Sequence, residues 1–470
     1  MSKFKSYYIF YICIIVSLGG LLFGLDQGLM NGALQLIGRD LSLNIDQKAF
    51  FAALLLWGAV LGSICSGYIS HLLSRKYTLV MTAIIFGSCS FLSTITLNIN
   101  LLSFYRFMLG IVVGISSLTV PLYLAEISPT KWRGAFISCY QLTITIGIFA
   151  AFSSNHLIIK YFNAWQPMFY IITIPATLMF LGLLFVPKTP RWLILCGYRK
   201  KAYNILKNIR ISPQEIKQEL KEMDLVLKKE KKTNILQLFK NCFVLKALLL
   251  GIIIQIAQQT TGINCIIYYS TSIFHVAGIH NATIATIIVG VVNMLTTILS
   301  VLFIDKLGRK PILYFGYIVM TITLLFIAFF MYLEVIGIHI SNILKFVLVA
   351  DILLFIFAFA ISAGPIAWVL CAELFPLKVR DYCLTITTTT NWIFAALIVN
   401  FSLPLIKTLH GTPNPKGGAI VFLIFAICCL VFLLVLKYFI PETNGVSLEE
   451  LEINLINGVK LRDLGKKINK

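Results

Sequence analysis

Asp26 and Arg106 each stand inside a long apolar run. A charge there is costly and marks a cavity, a partner or an ion path. A buried carboxylate beside a mobile cation can take up and release a proton as that cation comes and goes. A second group is made of amides and aromatics in equally apolar surroundings: Gln141, Gln258, Gln259, Asn264, Asn293 and Asn391, with Phe23, Trp368 and Trp392. Amides donate and accept, and aromatic faces receive C–H surface, so the set suits a neutral solute rich in hydroxyls. The same amides would serve as hydrogen-bonded glue between helices, worth about 1 kcal/mol each. Gln258 and Gln259 are adjacent and cannot share one helical face, whereas Gln258, Gly262 and Tyr269 fall roughly at helical spacing. Asn264 joins them only if the helix breaks, and Thr260-Thr261-Gly262 supplies a weak point.

The elements that must position these residues follow from composition. The chain has 470 residues, 59% hydrophobic and 12% charged, with a mean hydropathy of +0.89. A soluble domain is about 45–50% apolar and about 25% charged, so that class is excluded, as are disorder and coiled coils. A membrane-spanning helix needs about 20 mostly apolar residues. Twelve such runs occur, near 8–30, 50–70, 77–97, 101–123, 136–157, 167–186, 247–270, 282–304, 312–333, 346–370, 383–405 and 419–440. They are too long for the strands of a membrane β-barrel. The first follows Met-Ser-Lys-Phe-Lys but is too long for a signal peptide and has no small-residue cleavage site, so it reads as the first helix. Eleven cysteines show neither a C-x-x-C pair nor a Cys/His spacing suited to a metal, and no metal is expected.

The net charge of +20 reports orientation rather than nucleic acid. Thirty-one Lys and Arg fall on the even-numbered connections and the two tails, against six on the opposite side. Fifteen of the thirty-one lie in the 187–246 linker, and without it the ratio is still 16 to 6. Both termini are therefore expected in the cytoplasm. The linker carries apolar residues at helical spacing among Lys, Arg and Glu, as expected of short amphipathic helices on the cytoplasmic face that also touch anionic lipid.

An internal repeat organises the chain. Ala125-Glu126, Pro129, Lys131 and Arg133 recur as Ala372-Glu373, Pro376, Lys378 and Arg380, offset by 247 residues. Arg75-Lys76 recurs as Arg309-Lys310, and Pro187-Lys188-Thr189 as Pro441-Glu442-Thr443. Two copies of a six-helix unit in one orientation are the pattern of transporters that rock about a site at mid-membrane. The expected organisation is a helical bundle at 1–186, a cytoplasmic linker at 187–246, a second bundle at 247–440 and a tail at 441–470. Arg75, Glu126, Arg133, Asp305, Arg309, Glu373 and Arg380, at the cytoplasmic helix ends, could pair across the halves as a gate or simply anchor helix ends at the headgroups.

Taken together the motifs resemble the sugar porters of the major facilitator superfamily, most closely the proton-linked galactose and arabinose members in bacteria. The resemblance runs from about Gly19 to the tail. It is carried by Gly20-Leu-Leu-Phe-Gly-Leu-Asp26-Gln-Gly, Tyr105-Arg106-Phe-Met-Leu-Gly and Gln258-Gln259-Thr-Thr-Gly262-Ile-Asn264 with Tyr268-Tyr269. Asp305-Lys-Leu-Gly-Arg309-Lys, Gly364-Pro365-Ile-Ala-Trp368 and Asn391-Trp392 complete it. The resemblance implies an all-α polytopic membrane protein of twelve transmembrane helices in two six-helix pseudo-repeats. It further implies that Asp26 and Arg106 couple protons, that the amides and aromatics bind sugar, and that the terminal charges gate the cytoplasmic side. Two departures stand out. The family's first-half loop has an acidic residue and a turn glycine where this chain has His71 and Ser74, and the carboxylate that follows span 6 is here Lys188.

The expected function is proton-coupled symport of a monosaccharide, a hexose such as galactose or glucose or a pentose such as arabinose or xylose. The same fold could instead serve a passive uniporter, a polyol or inositol transporter, or a sugar sensor, against which the short tails argue. Enzyme and nucleotide motifs are absent from the sequence, so neither catalysis nor ATP-driven transport is expected. No cofactor is expected, the proton gradient being the driving force. The expected partners are the sugar, H+ and the lipid bilayer, with no nucleic acid, in a monomer in the inner membrane.

Overall fold

The computed structural model describes residues 2–129, 133–210, 242–276, 281–338, 341–376, 379–406 and 415–444, with single residues and short stretches of 212–220 and 446–464. Every long apolar run is a helix. The first half holds α1 (Ser2–Asp40), α2 (Ile45–Leu73), α3 (Arg75–Ile95), α4 (Ile99–Ile127), α5 (Arg133–Tyr161) and α6 (Gln166–Leu184). Among the described residues of the linker two short helices follow, α7 (Pro190–Leu195) and α8 (Arg199–Ile209). The second half holds α9 (Cys242–Thr260), α10 (Ile263–Val276), α11 (Ala282–Leu307), α12 (Arg309–Val335), α13 (Asn342–Ile361), α14 (Ala363–Leu374), α15 (Arg380–Ile406) and α16 (Pro415–Tyr438). Twelve spans are long and apolar enough to cross a bilayer, the seventh and tenth each built from two helices.

The repeat reappears in the packing. In the first half α1 packs on α5, α2 on α4 and α3 on α6. In the second half the equivalent spans pair the same way: α9 on α15, α11 on α13 and α12 on α16. The halves meet along α2 with α15, α5 with α11, and α1 with α10. Gly20, Gly24 and Gly28 let α1 lie backbone to backbone on α5. A Cβ at Gly24 would sit 2.0 Å from the Ile144 carbonyl oxygen. Small residues at spacing four are how membrane helices approach closely where no hydrophobic effect drives them together.

Two interruptions shape the middle of the second half. Span 7 breaks at the expected Thr260-Thr261-Gly262, with Gly262 at φ +82°, a conformation that a side chain would resist. Span 10 breaks at Ser362, between α13 and α14. Interrupted helices at mid-membrane leave backbone carbonyls for side chains or solute to use.

Candidate functional site

The two breaks and α15 bring the amides together. Asn391, on α15, sits at the centre and is 2% exposed. Its Nδ2 donates to Gln255 Oε1 at 2.7 Å and to Gln258 Oε1 at 2.6 Å, while its Oδ1 accepts from Gln259 Nε2 at 3.0 Å. Gln258 Nε2 donates to the carbonyls of Ala363 and Gly364 beside the span 10 break, at 3.1 and 2.9 Å. Gln259 Oε1 accepts from Asn264 Nδ2 at 2.6 Å, across the span 7 break. The chain of bonds then crosses to the first half, where Gln27 Nε2 donates to Asn264 Oδ1 at 2.7 Å.

Adjacent Gln258 and Gln259 thus act on one partner without sharing a helical face, because an amide offers a donor and an acceptor on opposite arms. Tyr269 does not belong to this set. The break at Gly262 rotates α10 away from the register of α9, and the Tyr269 hydroxyl donates to the Val399 carbonyl at 2.8 Å.

Aromatic walls flank the amides. Phe23 and Trp392 meet edge to face across the halves, ring centroids 5.4 Å apart at 77°. The Trp392 Nε1–H and the Tyr268 hydroxyl are buried without a hydrogen-bond partner among the described residues. Such orphans are costly in an apolar medium and are suited to a ligand oxygen. Gln141 and Trp368 are half-buried and Asn293 is buried; none of the three side chains makes a hydrogen bond among the described residues. They stand outside the linked amide set.

Asp26 and Arg106 form a fully buried ion pair, 0% and 1% exposed. Arg106 Nη1 donates to both carboxylate oxygens, at 2.8 and 2.9 Å. Its Nε and Nη2 are buried with no hydrogen-bond partner among the described residues, and its guanidinium carbon lies 5.9 Å from the centre of the Phe51 ring. One nitrogen therefore carries the whole interaction. An arginine held by a single prong gives up less on leaving than one gripped by the two-nitrogen fork.

The end of the bundle away from the termini is sealed by side chains of α1. Asn31 Nδ2 donates to the Ile267 carbonyl at 2.9 Å and to Ser270 Oγ at 2.8 Å, and its Oδ1 accepts from Thr271. Gln35 Nε2 reaches Ser272 Oγ at 3.2 Å. His156 Nδ1 lies 3.1 Å from Thr283 Oγ1 between α5 and α11. All these bonds join one half to the other.

At the end that carries the termini, the charges pair differently from the expected gate. Arg75 Nη2 lies 3.3 Å from Glu126 Oε1, and Arg309 Nη2 lies 3.0 Å from Glu373 Oε1. Both pairs lie within one half, because each arginine opens the helix beside the end of its own half's fourth span. Arg380 donates Nε and Nη2 to the Phe375 carbonyl, closing its own loop. Arg133 and Asp305 lie in α5 and α11, with side chains outside the described residues. Much of the expected amphipathic stretch from 200 to 232 also lies outside them beyond residue 210.

Reading residue by residue leaves out Gln27, Asn31 and Gln255. Gln255 precedes Gln258 by three positions and so shares its face, a signal that was available. Gln27 and Asn31 carry the same mark as the other amides, a polar side chain in an apolar span.

Comparison with known proteins decides the family. Residues 12–455 match the family described as "Sugar (and other) transporter". The chain belongs to the sugar transporter family. It is 39% identical over 460 residues to the galactose-proton symporter of Escherichia coli strain K12, covering 97% of this chain and 96% of that protein. It is 36% identical over 459 residues to the arabinose-proton symporter of the same strain, covering 97% and 95%. Among solved structures, the proton:xylose symporter XylE bound to 6-bromo-6-deoxy-D-glucose superposes with a TM-score of 0.79 at 29% identity, covering 96% of this chain and 99% of that one. This sugar transporter has the twelve-helix major facilitator fold and is not an enzyme.

Proposed function

We propose that this transporter is a symporter that couples a monosaccharide to a proton by alternating access, with the proton gradient as the only energy source and no cofactor. The observation that carries the reading is the placement of Asp26 next to Gln27 on α1. Asp26 is locked to Arg106, while Gln27 is bonded to the amide cluster of the other half through Asn264. Protonating Asp26 removes the charge that holds Arg106, which frees α4 from α1. Any shift of α1 that follows is felt one residue later, at the bond that joins the halves. In this cycle the seam made by Gln27, Asn31 and Gln35 faces outward, consistent with the basic loops lying in the cytoplasm. Opening it admits proton and sugar, and closing it around them commits both to the inner side.

The amide cluster is the sugar site on this reading. Asn391, Gln258, Gln259 and Asn264 bond one another, so hydroxyls can exchange in without stranding a buried donor. Phe23, Trp368 and Trp392 supply apolar faces, and Gln141 and Asn293 supply further polar atoms. The relatives named for galactose and arabinose bring hexoses and pentoses to the front as substrates. The protein would act as a monomer in the inner membrane, with both termini in the cytoplasm.

The test is uptake of a panel of radiolabelled sugars and polyols into proteoliposomes, with and without an imposed pH gradient, for wild type and Asp26→Asn. Wild type should accumulate one class of sugar only under the gradient. Asp26→Asn should exchange that sugar but fail to accumulate it. Accumulation by Asp26→Asn would refute the coupling role, and wild-type uptake indifferent to the gradient would make the protein a uniporter.

A further inference from the structure

A cavity of about 140 Å³ lies where α1 and α5 of the first half meet α10 and α11 of the second. Asn31 and Thr271, which bond each other in the seal between the halves, both line it. The seal is therefore one wall of the cavity. The bond from Gln27 to Asn264 lies one turn of α1 further toward the central amides, so this space is separate from the site built around Asn391. Its lining holds amides, hydroxyls, one imidazole and apolar side chains, with no Asp, Glu, Lys or Arg among the described residues.

Three of the lining side chains have polar atoms to spare. Asn155 is 5% exposed, and its Nδ2 donates to the carbonyls of Gly28 and Leu29 at 3.0 and 3.2 Å. Those bonds fix which way the amide lies and leave its Oδ1 as an acceptor with no partner among the described residues. Gln35 spends its Nε2 on Ser272, and His156 spends its Nδ1 on Thr283. Gln35 Oε1 and His156 Nε2 are likewise without a partner among the described residues. A buried acceptor left open costs more than a bond there would gain, so Asn155 is the strongest pointer to an occupant. Phe152 and Ile159 add apolar surface beside these atoms.

We propose that this cavity is a second docking site for the transported monosaccharide, placed at the end of the bundle away from the termini. Sugar hydroxyls donate to Asn155 Oδ1 and Gln35 Oε1 and bond His156 Nε2, while C–H surface rests on Phe152 and Ile159. A pocket that encloses its ligand runs to about 300–1,000 Å³, so this one grips one edge of the ring and holds it weakly. A neutral lining suits a neutral solute, since no charge has to be desolvated on docking. A sugar held here lies against the Asn31–Thr271 bond and competes for both partners, so the solute helps to undo the seal in its own path. The proposal rests on the reading of the central amides as the sugar site.

The test is saturation-transfer NMR on the full-length protein in nanodiscs, with D-galactose and L-arabinose as probes. Asn391→Ala disables the central site. Ile159→Trp fills the second cavity without removing a side-chain hydrogen bond of the seal. The signal of the transported sugar should persist in Asn391→Ala and fall at least about fivefold in Asn391→Ala/Ile159→Trp. Equilibrium dialysis at saturating sugar should count two sugars per transporter in wild type and one in Ile159→Trp, which also serves if Asn391→Ala does not fold. Loss of the signal in Asn391→Ala alone, a wild-type count of one, or indifference to Ile159→Trp overturns the second site. Each of those results leaves the uptake panel, and with it the symport reading, untouched. A panel in which no sugar enters would instead sink the symport reading, and this site with it.

Discussion

Ser74 holds the same backbone conformation as Gly308, at the same place in the other half. Ser74 lies at φ 73°, ψ 151° and Gly308 at φ 87°, ψ 157°, each between two helices. That region belongs almost wholly to glycine, and a side chain in it costs about 1–3 kcal/mol. The missing turn glycine has therefore not changed the turn; serine adopts it under strain. Ser74→Gly should raise the stability of the detergent-solubilised protein by about 1 kcal/mol, allowing for glycine's larger unfolded-state entropy. Thermal unfolding by intrinsic fluorescence checks this, and an unchanged or lower midpoint would show that the turn is not strained.

The same comparison explains Lys188. In the second half, Glu442 caps α12: its Oε1 accepts from the Arg309 backbone N–H at 3.1 Å and its Oε2 from Lys310 at 2.9 Å. Lys188 stands at the equivalent position beside α3, and its Nζ instead lies 4.7 Å from the rings of both Tyr77 and Trp192. A Cβ at Gly308 would come within 2.9 Å of Glu442 Oε2, so a side chain at the turn would make the capping carboxylate shift. Lys188→Glu alone should destabilise, because it loses the aromatic contacts and meets Ser74. In a Ser74→Gly background it should gain a charge-assisted cap. The double-mutant cycle should show a favourable coupling of about 1 kcal/mol, and strict additivity would sever the link.

The seam at the end away from the termini makes a prediction about conformation. Gln27 joins the halves through Asn264, and Asn31 does so one turn further out. Gln27→Ala leaves Asn264 with one fewer donor and the seam with one fewer bond, which shifts the equilibrium toward the state open at that end by about 1 kcal/mol. Spin labels on the ends of α1 and α10 beside this seam, read by pulsed electron spin resonance, should show a larger long-distance population than wild type. An unaltered distance distribution would mean that Asn31 and Gln35 hold the seam unaided.

How much of this was legible beforehand follows from what each signal depends on. The twelve spans need only a run of apolar residues of the right length, and the break at Gly262 needs only a residue free to adopt positive φ. The Asp26–Arg106 pair was legible because two opposite charges in apolar spans each require a partner. The order of bonds among the amides was not, since it depends on how α9, α10 and α15 are rotated against one another. The terminal charges show the same limit. Glu126 and Arg75 are recognisable as charges at helix ends that need a partner, but whether they pair within or across the halves depends on how the bundles sit.

Gln255 separates a site residue from its support. Asn391 Nδ2 divides its two hydrogens between Gln255 and Gln258, and Gln255 turns its own Nε2 toward Cys371 Sγ at 3.5 Å, away from the other amides. Gln255 thus orients Asn391 without joining the chain that leads to Gln27. Removing it leaves Asn391 one acceptor of two, a loss of about 1 kcal/mol in orientation, whereas removing Asn391 takes a partner from Gln258, Gln259 and Gln255 at once. In counterflow, Gln255→Ala should raise the KM for the preferred sugar by about three- to tenfold with little change in maximal rate. Asn391→Ala should raise it by about a hundredfold or abolish transport. Gln255→Glu keeps the acceptor and should restore most of the affinity, which a merely space-filling role for Gln255 would not predict. Equal losses for Gln255→Ala and Asn391→Ala would instead make Gln255 a direct sugar ligand.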